Sequence, residues 1–230
     1  MRKTTLTEKL GYSVASLGDA SFYGFISVFL LFFLTTIAGI SPAVAGTIAA
    51  VGAFWNAFFN PLIGYFADRV YTRFGRRRPL IFAFALPMAV TSFLLFTNID
   101  MAASVKPVYY GVMLMLYWTS YTGFFIPYLA LGAEYDRIQN GKSRTATIVS
   151  FQGLVEALAV GIGGQILGVV LERAGFDGTA AMQSENALLW IENGATLIPV
   201  VFILVVCVAL YKYPITKKTY EEMLEKEEGK

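Results

Sequence analysis

Two carboxylates, Asp19 and Glu156, lie deep inside long apolar stretches of this 230-residue chain. An ionised carboxyl is costly in hydrocarbon. Such a group stays neutral, faces a wet interior or bonds a neighbouring helix, and it can exchange a proton as its hydration changes. Asp19 and Glu156 are therefore candidates for proton exchange and for hydrogen bonding to a polar solute. The alternative is a structural bond between helices, with Gln152 or an asparagine as partner. Asn56, Asn60 and Gln152 add neutral hydrogen-bonding groups in the same kind of surroundings. Tyr23, Trp55, Trp118 and Tyr121 offer ring faces on which a solute could stack, with core packing or anchoring at the membrane interface as the bland reading. No nucleophile, base and orienting group converge, so an enzyme is the poorest reading. The chain has no histidine, and its single cysteine, Cys207, lies in an apolar run. Disulfide frameworks and most transition-metal sites are thereby excluded, and no metal or cofactor is expected.

The elements that must position these groups follow from composition. The chain is 56% hydrophobic and 15% charged, with a mean hydropathy of +0.58, which marks an all-α integral membrane protein. About 20 apolar helical residues span the hydrocarbon, and six stretches qualify: roughly 12–37, 43–66, 80–97, 107–131, 146–171 and 187–211. They are separated by Gly39 to Pro42, Gly64 to Pro79, Asn98 to Pro107, Glu134 to Arg144 and Gly175 to Glu185. The domain is expected to occupy 1–213. The mixed-charge tail at 214–230 reads as a solvated end. The first apolar run is too long for a cleavable signal peptide.

The segment GYFADRVYTRFGRRRP, from Gly64 to Pro79, carries five arginines between the second and third spans. Three of the chain's 18 Lys and Arg lie in the N-terminus, three more at Arg137, Lys142 and Arg144, and five from Lys212 onward; only Lys106 and Arg173 fall on the other face. Under the positive-inside rule the arginine loop and both termini are cytoplasmic. The net charge of +2 implies no nucleic-acid partner. Asp68 closes the second span at a helix end where the macrodipole disfavours an anion, so it needs partners, and Arg69, Arg73 or Arg77 could supply the charge.

Spans three and six hold nothing more polar across their middles than Thr91, Ser92 and Thr196, as expected of lipid-facing helices. Spans one, two, four and five carry the polar groups above and should line an interior. In span two Gly52, Asn56, Asn60 and Gly64 recur every fourth residue as one small and polar stripe. In span five Gln152, Glu156 and Gly163 share one side, and Gly153, Gly161, Gly164 and Gly168 another, the last two spaced for close helix contact.

Helices one, two, four and five lining an interior, with three and six outside, resemble one six-helix half of a major facilitator transporter. Gly64, Asp68, Arg69, Gly75, Arg76 and Arg77 are similar to that superfamily's loop between helices two and three, in the longer form of the glycoside-pentoside-hexuronide cation symporters, the family of the melibiose carrier. Trp55, Asn56, Asn60, Pro61 and Gly64 resemble its second helix, and Ile126, Pro127 and Tyr128 its fourth. The resemblance is specific over roughly residues 8–97 and looser beyond. It implies a secondary transporter subunit moving a small polar solute, a sugar or glycoside, by alternating access in a bacterial or archaeal cytoplasmic membrane. H+ or Na+ would be the coupling ion. Sodium-coupled members carry acids where this chain has Asn56 and Asn60, which favours the proton. Asp19 lies in the motif Gly18-Asp19, close to where the melibiose carrier uses an aspartate for sugar.

Family members have twelve helices. The resemblance thus implies a second six-helix unit, most simply an identical chain. A latch of Gly64, Asp68, Arg69, Arg73, Gly75, Arg76 and Arg77 would meet the start of span five, Ser143 to Thr147, in that second copy. The segment from about 134 reads equally like the end of a full-length member, so the chain is either a half-transporter or the opening three helices joined to the closing three. A non-transporting scaffold or regulatory subunit derived from a transporter is the reading from a different class.

Overall fold

The computed structural model describes residues 29–70, 77–140, 171–177 and 183–194, together with single positions 26, 154, 157, 158, 161, 164, 165, 168, 169 and 204. All regular structure among the described residues is helical. The end of span one is α-helical to Phe32 and closes in a π-helical turn, Phe33–Ile37. Gly39 then takes a positive φ of 70°, a conformation that costs glycine nothing, and the Ile40 N–H reaches back to the Leu34 carbonyl.

The span-two helix runs Pro42–Arg69. Pro42 follows an extended Ser41 and opens the helix, where its missing N–H costs no hydrogen bond. Pro61 sits inside the helix on its exposed side. By length and composition this is the described helix long and apolar enough to cross a membrane, with Pro79–Leu95 a shorter apolar one. The span-three helix is Arg78–Leu95, preceded by Arg77.

The span-four helix, Lys106–Asn140, is 35 residues long, roughly 52 Å at 1.5 Å per residue. It continues through Glu134 to Asn140, where the sequence reading places a loop. After Pro127 that segment holds no proline and only one glycine, Gly132, so nothing stops the backbone ladder when the apolar run ends. Hydropathy marks where the hydrocarbon stops, and helix propensity carries the helix past it.

Span four packs against span two on one side and span three on the other. The covered positions of span two are Ala45, Ile48, Gly52 and Ala67, with Trp55, Asn56, Phe59, Asn60 and Gly64 half-buried between them. This repeat of three and four residues makes one helix face. Gly52 brings the backbones close: a Cβ there would run into the Leu114 side chain and lie 3.3 Å from Trp118 Cδ1. On span three, Ile81, Ala85, Met88, Ser92 and Leu95 are buried, whereas Phe82, Leu86, Val90 and Phe93 are exposed. Its inner face meets span four at Gly123, where an added Cβ would sit 2.5 Å from Cγ of Phe84. The outer faces of spans two and three present large apolar side chains, led by Phe54 at 78% and Leu86 at 71% exposure, as suits hydrocarbon.

The end of the bundle opposite the arginine loop is closed by aromatic contacts. Phe33 meets the edges of Phe96 at 5.3 Å and Tyr110 at 5.8 Å, and Phe32 meets Phe176 at 5.6 Å. Lys106 Nζ donates to the Ala38 carbonyl at 3.1 Å, a cation at the negative end of a helix. The Asn98 N–H donates to Glu192 Oε1 at 3.1 Å, tying the loop after span three to span six. Replacing Gly123 by Ala is expected to destabilise the bundle by about 1–3 kcal/mol through overpacking against Phe84. Gly111→Ala on the same helix, with nothing within 4 Å of the new Cβ, is expected to be neutral or stabilising by up to about 1 kcal/mol. Thermal unfolding in detergent micelles checks both, and equal losses would contradict this packing.

Candidate functional site

The polar stripe of span two and the hydroxyls of span four form one seam. Trp55 Nε1 donates to Thr119 Oγ1 at 2.9 Å, and Thr119 passes its own proton to the Met115 carbonyl at 2.9 Å. Thr122 Oγ1 donates across to Asn56 Oδ1 at 2.8 Å and to Asn60 Oδ1 at 3.2 Å. These bonds join residues more than 60 positions apart in the chain, and in hydrocarbon they replace the water that each group has lost. The Trp55 ring stacks on Phe59 at 4.6 Å. Trp55, Asn56 and Asn60 are half-buried, at the edge of the helix pair, while Thr122 is fully buried behind them.

Trp118 and Tyr121 are placed differently. They are 8% and 6% exposed, meet edge to face at 5.4 Å, and belong to a ring ladder in which Tyr121 stacks with Phe125 at 5.5 Å and with Tyr117 at 6.2 Å. The Trp118 ring also lies against Gly52 of span two, and both rings have the surroundings of core side chains. Asp19, Tyr23, Gln152 and Glu156 lie outside the described residues, as do Arg73, Gly75 and Arg76 of the arginine loop.

Thr119 and Thr122 are the site residues that sequence reasoning missed. A threonine in an apolar helix commonly returns its proton to the carbonyl four residues back, as Thr119 and Ser120 both do, so its presence carries little signal. The available hint was position: two hydroxyls three residues apart share the helix face that also bears Trp118.

In the arginine loop, Arg77 Nη2 donates to Asp68 Oδ1 at 2.8 Å. Among the described residues, Asp68 is thus paired with one of the three arginines that the sequence offered. Asp68 stands in the last turn of span two and Arg77 immediately before span three, so each charge occupies the end of its helix that the macrodipole disfavours. Pairing offsets both penalties. The Arg77 side chain is 8% exposed and that of Asp68 62%, so the pair runs from a buried guanidinium to a largely exposed carboxylate. Arg69 lies 3.5 Å over the Tyr65 ring, one turn back on the same helix, a cation–π contact at the helix end that favours a cation. Gly64 is in the same final turns, with nothing within 4 Å of a Cβ added there.

Removing one partner of this pair takes a charge-assisted hydrogen bond from a guanidinium that is 8% exposed. A double-mutant cycle of Asp68→Asn and Arg77→Gln is therefore expected to give a coupling energy of about 1–3 kcal/mol in unfolding measurements. Additive losses would show that the pair contributes nothing.

The chain matches the family described as MFS/sugar transport protein in two segments, residues 11–135 and 133–217, which meet inside the span-four helix. It is 32% identical over 175 residues to an uncharacterised symporter, sll1374, of Synechocystis, covering 74% of this chain and 31% of that one. It is 30% identical over 154 residues to the isoprimeverose transporter of Lactiplantibacillus pentosus, covering 67% and 32%. It is also 30% identical over 168 residues to the sodium-dependent lysophosphatidylcholine symporter 1 of Gallus gallus, covering 72% and 32%. The chain thus spans about a third of the length of the curated relatives it matches. With both matched segments together running over most of its length, this integral membrane protein belongs to the major facilitator superfamily, in the MFS/sugar transport family that includes glycoside and cation symporters.

Proposed function

We propose that this chain is a subunit of a secondary active transporter that moves a small polar solute, a sugar or glycoside, by alternating access. The observation that carries the reading is the half-buried polar edge of Trp55, Asn56 and Asn60, backed by Thr119 and Thr122. It combines a ring face with neutral hydrogen-bonding groups, the pairing that recognises a sugar's apolar face and its hydroxyls. Asp19, Tyr23 and Gln152 would complete the contact from spans one and five, and Trp118 and Tyr121 would shape its rear wall. A relative that transports isoprimeverose, by its name, supports the sugar class.

Coupling to a proton is favoured over sodium. The amide oxygens that converge on Thr122 carry no formal charge to offset the dehydration of a metal ion, and Glu156 and Asp19 are the carboxyls available to exchange a proton. A second six-helix unit, most simply an identical chain about an axis along the membrane normal, would complete the transport path. In it the Asp68 end of span two, where Asp68 and Arg77 pair, would serve as the latch.

The test is uptake into proteoliposomes from a panel of sugars and glycosides at several external pH values. Uptake is expected to rise with an inward proton gradient and to fall at least tenfold in Glu156→Gln or Asp19→Asn. Absence of uptake from the whole panel, together with a monomer on cross-linking, would remove the transporter reading in favour of a non-transporting membrane subunit.

A further inference from the structure

Thr122 is fully buried and spends its single proton unlike the hydroxyls beside it. Thr119 and Ser120 return theirs to the Met115 and Leu116 carbonyls of their own helix. The Thr122 proton is instead shared by two amide oxygens of span two, at 2.8 Å and 3.2 Å. An amide carries its oxygen and nitrogen on one planar carbon, so turning Oδ1 toward Thr122 turns Nδ2 away from it. Asn56 and Asn60 lie one helical turn apart on the same face and are both half-buried, so two amide nitrogens turned away from Thr122, each with two N–H donors, stand side by side on the seam. Among the described residues nothing accepts from either nitrogen.

We propose that Asn56 and Asn60 form a donor pair that binds acceptor oxygens of the solute, and that Thr122 is a positioning residue fixing this polarity. The inference rests on the transporter reading and gives its site a sign: the seam takes hydroxyl or ring oxygens through their lone pairs. It suits a cation poorly, because the two amide oxygens carry no formal charge and already share the Thr122 proton. An occupant that covers these N–H groups without supplying acceptors leaves them buried and unpaired, so one that supplies acceptors is bound more strongly.

The sign is testable by chemistry that separates donors from acceptors. A fluorine in place of a sugar hydroxyl still accepts weakly but cannot donate; a hydrogen does neither. The probes are methyl β-D-xyloside and methyl α-D-glucoside with their mono-deoxy and mono-deoxyfluoro derivatives, titrated calorimetrically against the full chain in nanodiscs, in sodium and in choline chloride. At the contacted hydroxyl the wild type is expected to lose about tenfold in affinity for the deoxy derivative and less than about threefold for the deoxyfluoro one. Asn60→Asp, whose ionised carboxylate only accepts, is expected to lose the deoxyfluoro derivative as well. Thr122→Val is expected to erase the discrimination and Thr122→Ser to retain it. A purely structural role for Thr122 would lower stability without changing that ratio.

Discrimination that survives Thr122→Val would overturn the proposal while leaving the transporter reading intact. So would a sodium-specific gain in wild-type affinity that Thr122→Val abolishes. Failure of every variant to bind either glycoside would count against the sugar reading itself and carry this inference away with it.

Discussion

A polar group on a helix in hydrocarbon has no water to turn to, so its partner must come from its own backbone or from another helix. That constraint organises the described part of this protein. Span four sits between spans two and three and answers it in two ways. Thr119 and Ser120 close on their own carbonyls, whereas Thr122 reaches across to Asn56 and Asn60. The crossing is possible because Gly52 lets span two lie against Leu114 and Trp118 of span four, and Gly123 of span four likewise admits Phe84 of span three. Small residues set the distance between helices, and the distance allows the hydrogen bonds.

The two ends of the bundle are held by different physics. At the arginine loop, two charges on unfavourable helix termini offset one another, Asp68 with Arg77 at 2.8 Å, and Arg69 is used by the Tyr65 ring. At the opposite end, edge-to-face aromatics around Phe33 and Tyr110 combine with hydrogen bonds that Lys106 and Glu192 make to backbone groups. Tyr109 and Tyr110 add two more, to the Leu94 and Thr97 carbonyls at 3.0 Å each. A partly exposed ion pair is sensitive to a change of partner. A packed aromatic cluster is less so, since separating it exposes apolar surface and forfeits its ring contacts.

Much of this could be read from residue types alone, because the bilayer imposes strong patterns. Span two's stripe of Gly52, Asn56, Asn60 and Gly64 was visible from its spacing, since a helix places every fourth residue on nearly the same face. The need of Asp68 for an arginine followed from the helix dipole, but the choice of Arg77 over Arg69 depends on how the chain turns between two helices, which charge spacing does not encode. The course of span four past residue 131 was hidden because hydropathy reports solvent and says little about backbone. Trp118 and Tyr121 show the limit for aromatics: a ring that stacks on a solute and a ring that fills a core have the same composition, and only burial separates them. Thr122 was the least legible of all, because its role lies in where one proton goes.

The central claim is that the edge of the seam between spans two and four lies on a solute path. The most direct measurement is the rate at which a thiol reagent alkylates a cysteine at position 60, introduced as Asn60→Cys in a Cys207→Ser background, with and without a glycoside that the wild type transports. The account predicts that the glycoside slows alkylation at position 60 and leaves a control position on the outer face, Phe54→Cys, unchanged. Equal alkylation rates at position 60, with a glycoside whose transport by the wild type is established, would contradict it.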